Sequence, residues 1–138
     1  MSRKAPKPKN GARVRAVVVN PEGKILLVKR PDDKKRHPGM WSLPGGRRND
    51  GEDYLAAAKR ELTEETGITA RPDGWSFPFK VHGHASLAFA FRDPTGRLRL
   101  DLEESQRATW RDPRDLPAEL HPKTQRIVKA FLAAQKAR

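Results

Sequence analysis

Between Asp53 and Gly67 the chain spells out a helix with both ends marked, and that helix limits what the rest can become. Asp53 suits an N-cap, Leu55, Ala58 and Leu62 recur at spacings of three and four, and Gly67 supplies a left-handed stop. The pattern predicts a helix over Tyr54 to Thr66 with one stripe to bury. The flanking segments have other periods. Ahead of it, "VRAVVVN" and "KILLVKR" are β-branched and aliphatic runs joined by "NPEG", which reads as a hairpin. Two irregular stretches follow, "PDDKKRHPGM" and the glycine-rich "PGGRRNDGE", separated by the short apolar "WSL".

Beyond the helix the period becomes two. Trp75, Phe77, Phe79 and Val81 alternate with other residues, as do Leu87, Phe89 and Phe91 after an "HGH" corner, predicting two more paired strands. "DPTG" reads as a further turn, leading into a strand over Leu98, Leu100 and Leu102 with one wet face. Ile127, Phe131 and Leu132 in "PKTQRIVKAFLAAQ" are spaced for a second one-sided helix. Strands interleaved with two helices imply an α/β layered protein with a mixed sheet. A length of 138 residues suits one domain, expected over residues 13–135, behind a flexible basic tail at 1–12.

The cluster "KRELTEETG" works against its own helix. Glu61, Glu64 and Glu65 lie three and four residues apart on one side, where each like-charged pair costs roughly 0.2 to 0.5 kcal/mol. They also sit at the negative end of the helix dipole, at a cost of about 0.3 to 1 kcal/mol each. A solvated acidic face is the plain alternative, but it leaves that arrangement unexplained. A hard divalent cation, Mg²⁺ or Mn²⁺, reverses the sign of these terms, so the cluster reads as a metal site. The chain has no cysteine, which excludes thiolate ligands and disulfides and fits a cytoplasmic location. Its 29 Lys and Arg against 17 Asp and Glu favour anionic partners. No run of eighteen apolar residues occurs to span a membrane, and no apolar stretch behind the basic N-terminus makes a secretory signal.

From Gly46 onward, "GRRNDGEDYLAAAKRELTEETGI" resembles the Nudix box, G-x5-E-x7-R-E-U-x-E-E-x-G-U with U aliphatic, and matches it at every specified position. The likeness extends to a hairpin and "SLPGG" ahead of the box and to an acidic pair ahead of Trp110. The resemblance implies a Nudix-type α/β/α sandwich with a central mixed sheet. It further implies hydrolysis by water of a nucleoside diphosphate linked to another moiety, with Mg²⁺ as cofactor and Mn²⁺ as a substitute. By the same likeness Glu61 and Glu65 are the leading metal ligands, and Glu64 is a further ligand or a base acting through water. The carbonyl of Gly46 or Gly45 is an additional oxygen ligand, Arg60 orients a glutamate, and Glu52 fixes the loop. The likeness also places one more acid outside the box at Glu104, with Glu103 as fallback and a solvated loop acid as the plain alternative.

Arg30, at the end of the second run, is a candidate for substrate phosphate or a strand-end charge. Lys34, Lys35 and Arg36 are placed to close over a polyphosphate, and Trp41 offers a stacking surface or a core anchor. His82 and His84 have metal-compatible spacing without a third partner and read as a turn. A nucleic-acid module accounts for the charge but not for the glutamates, and a non-catalytic Nudix sensor would be expected to carry a broken box. The expected substrate is a nucleoside triphosphate or similar small nucleotide, with the RNA 5′ end as the alternative.

Overall fold

Val14, Ala16 and Val18 face one side of β1 (Arg13–Val19) and Val17 and Val19 the other, and all five are buried. A strand buried on both faces belongs at the centre of a sheet covered twice. The computed structural model describes residues 11–32, 37–102, 105 and 107–137, and β1 lies in the middle of its sheet. One face packs on α1 (Tyr54–Thr66) through Ala57, Ala58 and Leu62, and the other on α2 (Pro122–Lys136) through Ile127, Val128 and Phe131. This is the expected α/β/α sandwich. The sheet is mixed: β1 runs parallel to β6 (His84–Gly96), the other pairings between its strands are antiparallel, and an isolated parallel bridge joins Trp41 to Leu120.

β1 and β2 (Ile25–Lys29) form the expected hairpin, with Gly23 N–H donating to the Asn20 carbonyl across the turn. Their register contains one pair, Val19↔Ile25. Beyond it the strands part, and residues 41–47 enter between them. β3 (Trp41–Ser42) pairs with β2 at Val28 and Lys29, and β4 (Gly45–Arg47) pairs with β1 at Arg13 to Arg15. The glycine-rich stretch, expected to be irregular, is therefore partly strand. Gly45 allows this because a Cβ there would run into the Val14 carbonyl. The split in the hairpin makes a cleft through the sheet.

Both helices start and stop as their sequences indicate. Asp53 caps α1 by accepting from Ala56 N–H at 3.0 Å, and Gly67 ends it at φ 78°. His121 caps α2, its Nδ1 accepting from Lys123 N–H at 3.1 Å. β5 (Ile68–Val81) is an edge strand, which accommodates Pro72 and Pro78. His82 and Gly83, both at positive φ, form the two-residue turn into β6, in keeping with the reading of this corner as a turn.

Two expectations are corrected. "DPTG" is not a turn between strands: Asp93 to Gly96 belong to β6, where the register against β5 slips between Thr69 and Arg71. Residues 97–102 are not a strand. Arg99 N–H donates to the Thr66 carbonyl at 2.8 Å and Asp101 N–H to that of Glu65 at 3.0 Å. The segment thus uses its backbone donors to satisfy orphan carbonyls at the end of α1, and leaves Leu102 72% exposed. The last strand, β7 (Arg107–Arg111), pairs with β2 along its whole length and had no alternating apolar pattern to announce it.

Candidate active site

α1 lies against the split hairpin and turns two of its three glutamates inward. Glu61 is 2% exposed and Glu65 6%, unusual burial for carboxylates. Glu65 Oε2 accepts from Gly45 N–H at 3.0 Å, and Oε1 from Ser105 Oγ–H at 2.7 Å. Glu61 lies against Gly46, where an added Cβ would strike its carboxylate. Gly46 is therefore a space requirement of the site as well as a box residue. Burial pushes the Glu65 carboxyl up to about 7; the donors Gly45 and Ser105 and the charge of Arg15 oppose this, while Glu61 adds to it.

Glu64 is only half-buried and reaches Arg60 Nη1 at 3.1 Å. Arg60 also holds Glu61 Oε1 at 2.8 Å and Glu52 through Nε at 2.8 Å, and it donates to the Arg47 carbonyl at 3.2 Å. From its position directly before Glu61, Arg60 belongs to a different helical face, but its long side chain folds back to join both glutamates. Part of the repulsion read from the sequence is thus relieved within the protein. The Glu52 hydrogen bond foremost raises the Arg60 pKa, and the Arg60 hydrogen bond holds Glu52 below the usual carboxylate range. Glu52 also accepts from Asn49 N–H at 3.0 Å, tying the loop ahead of α1 to the same arginine.

Glu65, Gly45 and Gly46 border a cleft of about 300 Å³ whose other walls include Arg13, Arg15, Arg30 and Arg47. Acid on the helix side thus faces arginine on the strands. The cleft can hold a polyphosphate, whose oxygens suit guanidinium donors.

The NUDIX domain family model matches residues 9–131. The chain belongs to the Nudix hydrolase family. It is 30% identical to an RNA pyrophosphohydrolase of Caulobacter vibrioides over 92% of this chain and 86% of that one. It is 32% identical to a CTP pyrophosphohydrolase of Escherichia coli, covering 89% and 93%. The crystal structure of a MutT NUDIX hydrolase from Burkholderia pseudomallei superposes with a TM-score of 0.69 at 26% identity, covering 86% of this chain and 95% of that one.

The Nudix box residues fit a hard divalent ion. Two buried carboxylates, Glu61 and Glu65, stand against the Gly45–Gly46 backbone, Glu65 accepting from Gly45 N–H and Glu61 lying where a Cβ at Gly46 would be. Magnesium is commonly held by one or two carboxylates, with water and substrate phosphate completing the shell. Among the described residues no group of three acidic or imidazole side chains is arranged to hold an ion by itself, and Glu61 and Glu64 both reach Arg60 Nη1. Arg30 lines the cleft. Of the two readings of Trp41, stacking surface or core anchor, its position agrees with the second: it is half-buried against the core cluster that holds Ile127, Val128 and Phe131, and its N–H donates to the Glu119 carbonyl at 2.7 Å. Lys34, Lys35, Arg36, Glu103 and Glu104 lie outside the described residues. Sequence reasoning missed Arg13, Arg15, Arg47 and Ser105. The period-two arginines of "RVRAVVV" were a usable signal, whereas Ser105 had none.

Proposed function

We propose that this protein is a Mg²⁺-dependent pyrophosphohydrolase acting on a nucleoside triphosphate or similar small nucleotide, with water as nucleophile and residues 13–135 as the catalytic unit. The observation that carries the reading is the pair of buried carboxylates, Glu61 and Glu65, beside a cleft walled by arginines. These two glutamates and the Gly46 carbonyl would hold the ion, with Mn²⁺ as a substitute. The bound ion would supply charge neutralisation at the anhydride and a lowered pKa for the attacking water. Arg30, with Arg13, Arg15 and Arg47, binds and orients the phosphates. Glu64 accepts the proton of the attacking water or acts as a further ligand, and Arg60 positions both Glu61 and Glu64. Glu104 is the other candidate base.

The second reading is removal of pyrophosphate from an RNA 5′ end, favoured by the net charge of +12 and by the similarity to an RNA pyrophosphohydrolase. One experiment addresses both: pyrophosphate release from a nucleotide panel and a 5′-triphosphorylated RNA, with and without Mg²⁺, using Glu65→Gln as control. Mg²⁺-dependent release by the wild type alone is expected. Equal release by both proteins removes the proposal.

A further inference from the structure

A second cavity, of about 270 Å³, adjoins the cleft on the α2 side of the sheet and shares Arg13, Arg15, Arg30 and Ser42 with it. Its floor is apolar, made by Phe79, Val81 and Ile127. Its walls are largely cationic: Arg13, Arg15 and Arg30 are joined by Lys123, with His37, His82 and His121 and the hydroxyls of Ser42 and Thr124 beside them. No Asp, Glu, Asn or Gln lines it among the described residues. A nucleobase edge is read most selectively by carboxamides and carboxylates that pair donor with acceptor. Arg and Lys supply donors only, and several of them around one space suit phosphate oxygens.

We propose that this second cavity is a phosphate subsite, taking a phosphate ester on the sugar of the nucleotide whose anhydride lies in the first cleft. The apolar floor receives the sugar and ring, and the basic wall receives the extra phosphate. The inference rests on the reading of the first cleft as the anhydride site. Independent support comes from His121, whose pKa falls to about 4, first through burial and then through the charges of His37, Arg15, Lys123 and Arg30. Lys123 lines both this cavity and the one bordered by Arg126, and its Nζ donates to the Lys80 carbonyl at 2.7 Å.

The test uses ligands without an anhydride. Calorimetric affinities of adenosine 3′,5′-bisphosphate and of AMP are compared on the full chain. The bisphosphate is expected to bind about ten-fold or more tightly, as charge-assisted hydrogen bonds allow. That preference should collapse in Lys123→Ala and in Lys123→Gln, and persist in Arg126→Ala, whose side chain lines a different cavity. Equal affinities overturn the subsite whatever the protein does to anhydrides. A preserved preference without hydrolysis of any anhydride overturns the proposed function and leaves the subsite standing. Turnover then separates the two sources of a sugar phosphate. A higher kcat/KM for a 5′-triphosphorylated dinucleotide than for a nucleoside 3′-phosphate 5′-triphosphate identifies a nucleic-acid chain, and the reverse a free nucleotide.

Discussion

Replacing Glu65 by Gln should stabilise the metal-free protein, by an amount that depends on pH. Burial lifts the Glu65 carboxyl from 4.5 to about 7 in the folded state. Between those values the folded chain keeps a proton that the unfolded chain has released, so stability falls as pH rises toward 7 and is level above it. At about 1.36 kcal/mol per pH unit, a displacement of about two and a half units amounts to about 3 kcal/mol. The glutamine is neutral throughout, and its two ends fit: the carbonyl can accept from Gly45 N–H, and the amide can donate to Ser105 Oγ, which is free to rotate. Thermal unfolding in the presence of a chelator should therefore show the two proteins alike near pH 4.5. The variant should melt higher by on the order of 10 °C at pH 8. Added Mg²⁺ should raise the wild type alone and narrow the gap, because the ion binds the ionised folded state. A gap independent of pH, or a wild type more stable than the variant at pH 8 without metal, would refute the reasoning.

Arg60→Ala leaves the buried Glu61 carboxylate without its 2.8 Å partner and should cost about 1 to 3 kcal/mol in denaturant unfolding; a loss below about 0.5 kcal/mol counts against its role as the junction of three glutamates. Gly46→Ala places a methyl against the Glu61 carboxylate and should weaken Mg²⁺-dependent turnover at least ten-fold, with the far-ultraviolet spectrum retained. Unchanged turnover would mean that the carboxylate can move aside at little cost. Ser105→Ala removes a donor that favours ionised Glu65, so the acid limb of the pH–rate profile should move to higher pH. An unshifted limb would separate Glu65 ionisation from the rate. For the wild type, the rate should rise from neutral to mildly alkaline pH as the carboxylates ionise and water is more readily deprotonated; a steady fall over that range would contradict the metal-activated water.

Local signals decide much of this protein. Asp53 and Gly67 bound α1 because capping depends on the few residues around a helix end, and the box spacing Gly46, Glu52, Arg60, Glu61, Glu64 and Glu65 stands in one short stretch. The β-branched run of β1 and the stripe of α2 likewise announce a buried strand and a one-sided helix. Other features depend on residues distant in the chain. Residues 97–102 carry a strand pattern yet lie across the end of α1, because unpaired carbonyls at Thr66 and Glu65 take their backbone donors. β7 exists because β2 offers an edge, and Arg107 to Arg111 need only a backbone to fill it.

The same division runs through the site. The sequence by itself determined that three glutamates and an arginine share one helical segment, since a helix fixes the spacing of its own side chains. It did not show that Glu61 and Glu65 turn into the fold while Glu64 is only half-buried, or that Ser105 would reach Glu65 from forty residues away. Only the tertiary structure parted the β1–β2 hairpin around residues 41–47 and brought Arg13, Arg15, Arg30 and Arg47 to face the acidic helix. Spacing along one element is local geometry; the meeting of acid and arginine across the cleft is a product of strand pairing, which the packing of the whole sheet selects.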